Sequence, residues 1–240
     1  MAIKKNYVSP RQKMINLMYV VLMAMLAMNI SNEVLDGFTI VEESLNRTTD
    51  NSSKQNSAIY EDFEAQMKAN PQKVREWFEK ATAVKAMSDS LYNLAQDLKV
   101  AIVKEADGSD GDINNIERKD DLEAANQVML APGTGRGKAL RKAIDSFRTR
   151  ILTMVTDKNQ RAIIESNLTT QIHGKANPLN KNWEEYMFEG MPVAAAVTLL
   201  SKLQSDVRYA EGEVLHTLVS NIDVKDIRVN KLSAFVIPNA

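Results

Sequence analysis

Residues 14–30 read MINLMYVVLMAMLAMNI, a run without a charge, a glycine or a proline. Lys4, Lys5, Arg11 and Lys13 stand before it with no acid among them, and residues 31–70 behind it carry eight acids against three bases. As a helix, the run covers about 25 Å at ~1.5 Å per residue, slightly short of a ~30 Å hydrocarbon core. Ser31 and Asn32 lengthen the uncharged stretch, so the expected span is 14–32. Ile15, Leu17, Val20, Val21, Leu22, Leu26 and Ile30 each favour insertion by ~0.3–0.6 kcal/mol near the bilayer centre. Asn16 and Asn29 oppose it, but from the ends.

Three readings of this run compete. A cleaved signal peptide has a shorter apolar region and a small-x-small cleavage site, whereas Ala24-Met25-Leu26-Ala27-Met28 lacks that spacing. A core helix of a globular protein normally shows a polar stripe, and none is visible. The run reads as an uncleaved anchor, with Met14, Leu17, Met18, Val21, Leu22, Met25 and Leu26 among its lipid-facing or partner-facing residues. The basic tail sets its orientation by the positive-inside rule. Residues 1–13 are then cytoplasmic and the rest of the chain is exported, into the periplasm in a bacterium. Ser9 suits the N-cap and Pro10 the first helical position. From position alone, Arg11 reads as a flanking residue whose charge snorkels to the interface; a counter-ion to an acid buried in a partner is the sharper alternative.

The exported part reads as an all-α bundle over residues 33–223. Val34, Phe38, Val41 and Leu45 step by four, three and four, as if one apolar face ran straight out of the span. Residues 46–57 (NRTTDNSSKQNS) are polar, and read as either a solvated helical stalk or a short break. Pro71 opens a helix patterned by Val74, Phe78, Val84, Leu91, Leu94 and Leu98. Residues 108–121 form a loop by their Gly, Asp and Asn content. A helix at 122–130 ends before Pro132-Gly133, and Leu140, Ile144, Phe147, Ile151 and Val155 form another stripe. A shorter helix follows at 157–168, then a loop at 169–182. In residues 192–222, Leu200, Leu203, Val207, Ala210 and Val214 step as a coiled-coil-like seam, more often bundle core than dimer interface. From Val224 the period changes: Ile227, Val229, Leu232, Phe235 and Val236 make a strand-like run, read as a linker and the first strand (224–240) of a β domain continuing past Ala240.

The chemistry that is missing narrows the function. The chain of 240 residues is 44% hydrophobic and 25% charged with net charge −1, without the basic excess of a nucleic-acid binder. Cysteine is absent and His173 and His216 are far apart, which leaves no thiolate or multi-histidine metal centre, and no cofactor is expected. APGTGRGKA (131–139) fails the phosphate-loop spacing, with Pro132 and Ala139 at the key positions. Glu184 and Glu185 beside Trp183 look like a helix start. No catalytic residue or nucleophile–base pair is signalled, so an enzyme is not expected. A proton-conducting subunit needs an ionisable group inside the membrane, and residues 14–30 hold none. If the chain takes part in using a proton gradient, a partner must supply the acid, and Arg11, Asn16 and Tyr19 are then the polar groups here able to meet it.

The run Ser9-Pro10-Arg11-Gln12-Lys13-Met14-Ile15-Asn16-Leu17-Met18-Tyr19, with Met23-Ala24-Met25-Leu26-Ala27-Met28-Asn29 and Ser31-x-Glu33-Val34-Leu35, closely resembles the start of the GldM/PorM family. These are inner-membrane proteins of the Bacteroidota type IX secretion and gliding machinery. The resemblance extends over essentially the whole chain and is tightest in the first 35 residues. It implies a homodimer whose membrane helices thread a ring of GldL/PorL, forming a molecular motor driven by the proton-motive force. It further implies that the exported region carries motion to periplasmic and outer-membrane components through further domains, in the service of protein transport. A ring glutamate then pairs with the arginine of the PRQK motif, here Arg11. The competing expectation is a static periplasmic scaffold with the same anchor and no transmitted motion.

Overall fold

The computed structural model describes residues 9–27, 30–172, 177 and 179–232, the side chains of 24–27 and 223–232 excepted. Eight helices are found among these residues: α1 (Pro10–Ala27), α2 (Asn32–Ala69), α3 (Pro71–Asp107), α4 (Ala124–Leu130), α5 (Gly137–Met154), α6 (Lys158–Asn167), α7 (Trp183–Phe188) and α8 (Val193–Leu232). No strand occurs among the described residues beyond an isolated bridge between Asp112 and Asn115.

Local chemistry accounts for the boundaries. Pro71 starts α3 directly after Asn70, so α2 and α3 form a hairpin with a one-residue hinge. Gly108, at φ 95°, ends α3 in a conformation that costs glycine nothing. Asp157 caps α6 by accepting from the N–H groups of Asn159 and Gln160, both at 2.9 Å. A reciprocal capping box between Asn182 and Glu185 opens α7. The 108–121 loop is fastened by the Asp107 carboxylate, which accepts from the N–H groups of Glu117 and Arg118, both at 2.9 Å.

The frame is made of α2, α3 and α8, with 38, 37 and 40 residues, each about 55–60 Å long at 1.5 Å per residue. α8 runs parallel to α2, since Thr198 meets Phe38 and Arg208 meets Asn56. It runs antiparallel to α3, since Gln204 meets Gln96 and Arg208 meets Asp89. The buried face of α3 holds Val74, Ala81, Val84, Ser88, Leu91, Ala95, Leu98 and Ile102. These follow the expected stripe, with Phe78 and Leu94 packed at its edge. The seam Leu200, Val207, Ala210 and Val214 lies in the bundle core with Leu203 packed against it. The short helices close one flank, Leu140, Ile144, Phe147 and Ile151 of α5 supplying their apolar ridge.

Of the two readings of residues 46–57 the helical stalk holds and the break does not: α2 passes through them unbroken and mostly exposed. Without proline or glycine there, the hydroxyls of Thr48 and Thr49 bond back to the carbonyls of Ser44 and Leu45, and Thr49 and Asn56 are buried. Two expectations are corrected. The strand-like run is helical as far as Leu232, in continuity with α8. Each β-branched residue costs a helix well under 1 kcal/mol, less than starting a lone strand with no neighbour to pair with. Phe235 and Val236 lie outside the described residues. Finally, the apolar face does not run straight from the span into α2. α1 is described to Ala27, and Ser31 is extended at ψ 145° before α2 begins. Val34 and Val41 stand exposed, while Phe38 and Leu45 are half-buried.

Among the described residues no helix is long and apolar enough to cross a membrane. The 18 residues of α1 include the polar start Pro10-Arg11-Gln12-Lys13, and residues 14–27 cover only about 21 Å.

Candidate functional site

From Met14 onward α1 is apolar, and none of the described residues covers it. Every apolar side chain from Met14 to Met23 is between 49% and 71% exposed, including those of Leu17, Met18, Val21 and Leu22. Met25 and Leu26 are helical, but their side chains fall outside the described ones. An amphipathic helix docked on a bundle would hide one stripe; among the described residues all sides of α1 from Met14 to Met23 are open. Ser9 begins the helix by accepting from the N–H of Gln12 at 3.3 Å. Asn16 accepts from Gln12 Nε2 at 3.2 Å. At 100° per residue Arg11 and Tyr19 lie about 80° apart on the helix, and Arg11 and Asn16 about 140° apart. The three expected partner residues are therefore spread over adjoining faces, all exposed.

A second set of polar groups is hidden where α2 lies against α8 and α3. Lys99 of α3 is 2% exposed. Its ammonium donates to Glu42 Oε1 at 3.2 Å and to Gln204 Oε1 at 3.4 Å. The same Glu42 oxygen accepts from the Ser201 hydroxyl at 3.1 Å. Burial holds the Lys99 ammonium below its usual pKa, and Glu42 only partly offsets this. Towards the start of α2, the Thr198 hydroxyl donates to the Phe38 carbonyl at 3.2 Å. Further along, Asn56 Nδ2 donates to the Arg208 carbonyl at 2.9 Å, and the Tyr60 hydroxyl donates to Glu211 Oε1 at 2.7 Å. Arg208 clasps Glu211 and Asp89, each at 2.8 Å, and lies 4.6 Å over the Tyr92 ring. Although burial lowers the Arg208 pKa, the two carboxylates outweigh it and raise it. Burial first, then Glu211, pushes the Tyr60 phenol up, keeping it protonated.

Removing one partner of such a buried pair typically costs about 3–5 kcal/mol, while exchanging the whole set for apolar groups is often neutral. The presence of the seam is therefore weak evidence for net stability, while breaking any one pair in it is costly. Beside it lies a polar cavity of about 460 Å³, bounded by α2, α3, the 108–121 loop and the start of α8. A more apolar cavity of about 410 Å³ lies between α5, α7 and α8.

The remaining motifs are structural. In the 131–137 turn Gly133 takes φ 82°, and a Cβ on Gly135 would sit 2.8 Å from two backbone carbonyls. The turn leaves no cradle for a phosphate. Glu184 is not merely a helix start: it is buried against Gly137, with its carboxylate 3.4 Å from Arg141 Nη1. His216 is exposed on α8 and His173 lies outside the described residues. No cluster of three metal-ligating side chains occurs among the described residues.

Long helices packed side by side, preceded by a separate apolar helix, define an all-α module among the described residues. The chain belongs to the GldM family: the model of the GldM N-terminal domain matches residues 33–221. That family is a membrane-associated component of type IX secretion and gliding, and is not a known enzyme family. None of the curated proteins compared with the chain matches it.

Proposed function

We propose that this chain is the membrane-anchored central stalk of a proton-motive-force-driven motor that energises type IX secretion and gliding. Residues 14–32 form a single span in the bacterial inner membrane, with the N-terminus cytoplasmic and the bundle periplasmic. The observation that carries this reading is the uncovered apolar surface of α1 behind a basic tail. The apolar part of α1, residues 14–27, falls about 9 Å short of a ~30 Å hydrocarbon core, a gap that local thinning of the bilayer reduces.

The chain acts as a homodimer, its paired spans held by a GldL/PorL ring that contributes the membrane carboxylate this chain lacks. Arg11 neutralises that carboxylate in one state and a proton does so in the next, so protonation changes which ring subunit holds the central helix. A proton crossing the field releases ~2.3 kcal/mol per 100 mV, comparable with the ~2.5–3.5 kcal/mol cost of one uncompensated charge in a membrane helix. Asn16 and Tyr19 are further partner-facing groups, and motion passes through α2 into the bundle and on to the outer-membrane machinery.

The test is Arg11→Ala in cells, with assembly of the inner-membrane complex checked by co-purification. Secretion is expected to fail while the complex still forms. Normal secretion from a normally assembled complex refutes the role of Arg11.

A further inference from the structure

The helix that leaves the anchor buries Leu35 and Phe63, and between them it meets the bundle through a row of polar contacts. Along α8 the residues turned towards α2 or the groove beside it are Thr198, Ser201, Gln204, Arg208 and Glu211, spaced at helical intervals; all but Arg208 are less than 9% exposed. On α2 their counterparts are Glu42, Asn56 and Tyr60, joined by the Phe38 carbonyl. An apolar seam is held by shape alone, whereas here Asn56, Tyr60 and Ser201 each meet one acceptor across the seam, and Thr198 shares its hydroxyl between the Phe38 carbonyl and the nearer Ala194 carbonyl at 2.8 Å. A slip of one turn, about 5.4 Å, would move Glu42 away from Lys99 and Tyr60 away from Glu211, stranding buried charges. The fit is close as well as polar: a Cβ at Gly212 would lie 2.8 Å from Asn56 Oδ1, so a larger residue there would push the Asn56 side chain from its place.

We propose that these contacts are register pins: Glu42–Lys99–Ser201, Thr198–Phe38, Asn56–Arg208 and Tyr60–Glu211 hold α2 at one axial position on α8. A push or twist delivered through the anchor then reaches α8 instead of being lost as sliding between the two helices. The inference rests on the stalk reading above and adds the residues that make the stalk resist shear. It assigns them a positioning role, and Lys99 and Glu42 no catalytic one.

The absence of cysteine makes the register directly measurable. In the full chain, N56C/G212C reports the native alignment and S53C/N56A/G212C reports a slip of three residues, both without the Asn56 pin and so without the clash that a Cβ at position 212 would meet. With the other three pins intact, disulfide trapping is expected to give the native pair and little of the slipped one. In E42L/K99M/S201A, which removes one pin with all three of its polar partners, the ratio of slipped to native crosslink is expected to rise about tenfold, the factor that 1.4 kcal/mol represents. Secretion should fall in step while the helical circular dichroism stays unchanged. Where that variant fails to fold, Y60F/T198V takes its place, deleting a single hydroxyl at each of two other pins. Adding the N56C/G212C disulfide to the pin variant should restore secretion, and reduction should remove the gain.

A folded pin variant with an unchanged crosslink ratio overturns the inference. So does a slipped variant that secretes normally, or a native disulfide that rescues nothing. Arg11→Ala run alongside separates the two levels. Secretion that needs Arg11 but not the pins sinks only the pins, and secretion indifferent to both sinks the stalk.

Discussion

Glu42→Leu should be among the most damaging single substitutions in the bundle, and Lys99→Met should partly repair it. In the native protein the Lys99 ammonium is 3% exposed and leans on Glu42 at 3.2 Å, its other acceptor being Gln204 at 3.4 Å. Removing the carboxylate leaves a buried cation with one weak acceptor, and also strips the fully buried Ser201 hydroxyl of its acceptor. The cost of uncompensating a buried charge is about 3–5 kcal/mol. For a domain of 150–250 residues each kcal/mol lowers Tm by about 2–4 °C, so a fall of about 6–20 °C is expected. Lys99→Met alone should cost less, because the Glu42 side chain is 17% exposed and keeps Ser201 and Asn46 as donors. The double variant should be more stable than the sum of the singles by about 1–3 kcal/mol, the usual coupling of residues in contact.

The assay is thermal melting of the purified chain in detergent, followed by circular dichroism. The pH dependence supplies a second check. A lysine whose folded pKa lies below its unfolded 10.5 gains stability as pH rises through the interval between those two values, because the unfolded chain binds the extra proton there. Without Glu42 that interval widens downward, so Glu42→Leu should recover part of its loss at alkaline pH. An unchanged Tm for Glu42→Leu, or strictly additive singles, refutes the reasoning.

Two further perturbations follow from the same geometry. Gly212→Ala would ordinarily steady a helix by up to about 1 kcal/mol. Here the new Cβ meets Asn56 Oδ1 at 2.8 Å, so a net loss of about 1–3 kcal/mol is expected from overpacking, and a rise in Tm would contradict the close approach. Burial raises the Asp206 carboxyl pKa from 3.8 against the pull of Lys202. A raised acid stabilises the fold below its unfolded value and loses that stabilisation as pH rises through its folded one. Asp206→Asn removes that opposing slope and should therefore steepen the acidic limb of the Tm–pH curve, and an unaltered limb would count against it.

How much of this was legible beforehand depends on the kind of contact. The seam of α8 and the stripe of α5 were readable because Leu200, Val207, Leu140 and Ile144 recur at helical spacing, and apolar periodicity is a property of one segment alone. The polar seam was not. Asn56, Tyr60 and Lys99 are ordinary surface residues until Arg208, Glu211 and Glu42 arrive from more than fifty positions away, so no local pattern marks them. The strand-like reading of residues 224–232 failed because β-branched residues prefer sheets only when a neighbouring strand is present; here a long helix was already running. Glu184 looked like one half of a helix start, while the cap is made by Glu185 and the neighbour turns into the core. The α1 residues Arg11, Asn16 and Tyr19 were chosen by their place in an uncharged run and by resemblance, and their exposure leaves them open to a partner.

The claim on which the account turns is that residues 14–32 cross the membrane with the bundle outside. Single cysteines in this cysteine-free chain, one at Ala2 and one at Ser109, can be challenged in cells whose outer membrane has been opened, with a maleimide that cannot cross the inner membrane. The account predicts labelling at Ser109 at once and at Ala2 only after lysis. Equal labelling of both before lysis, or labelling of neither, contradicts it.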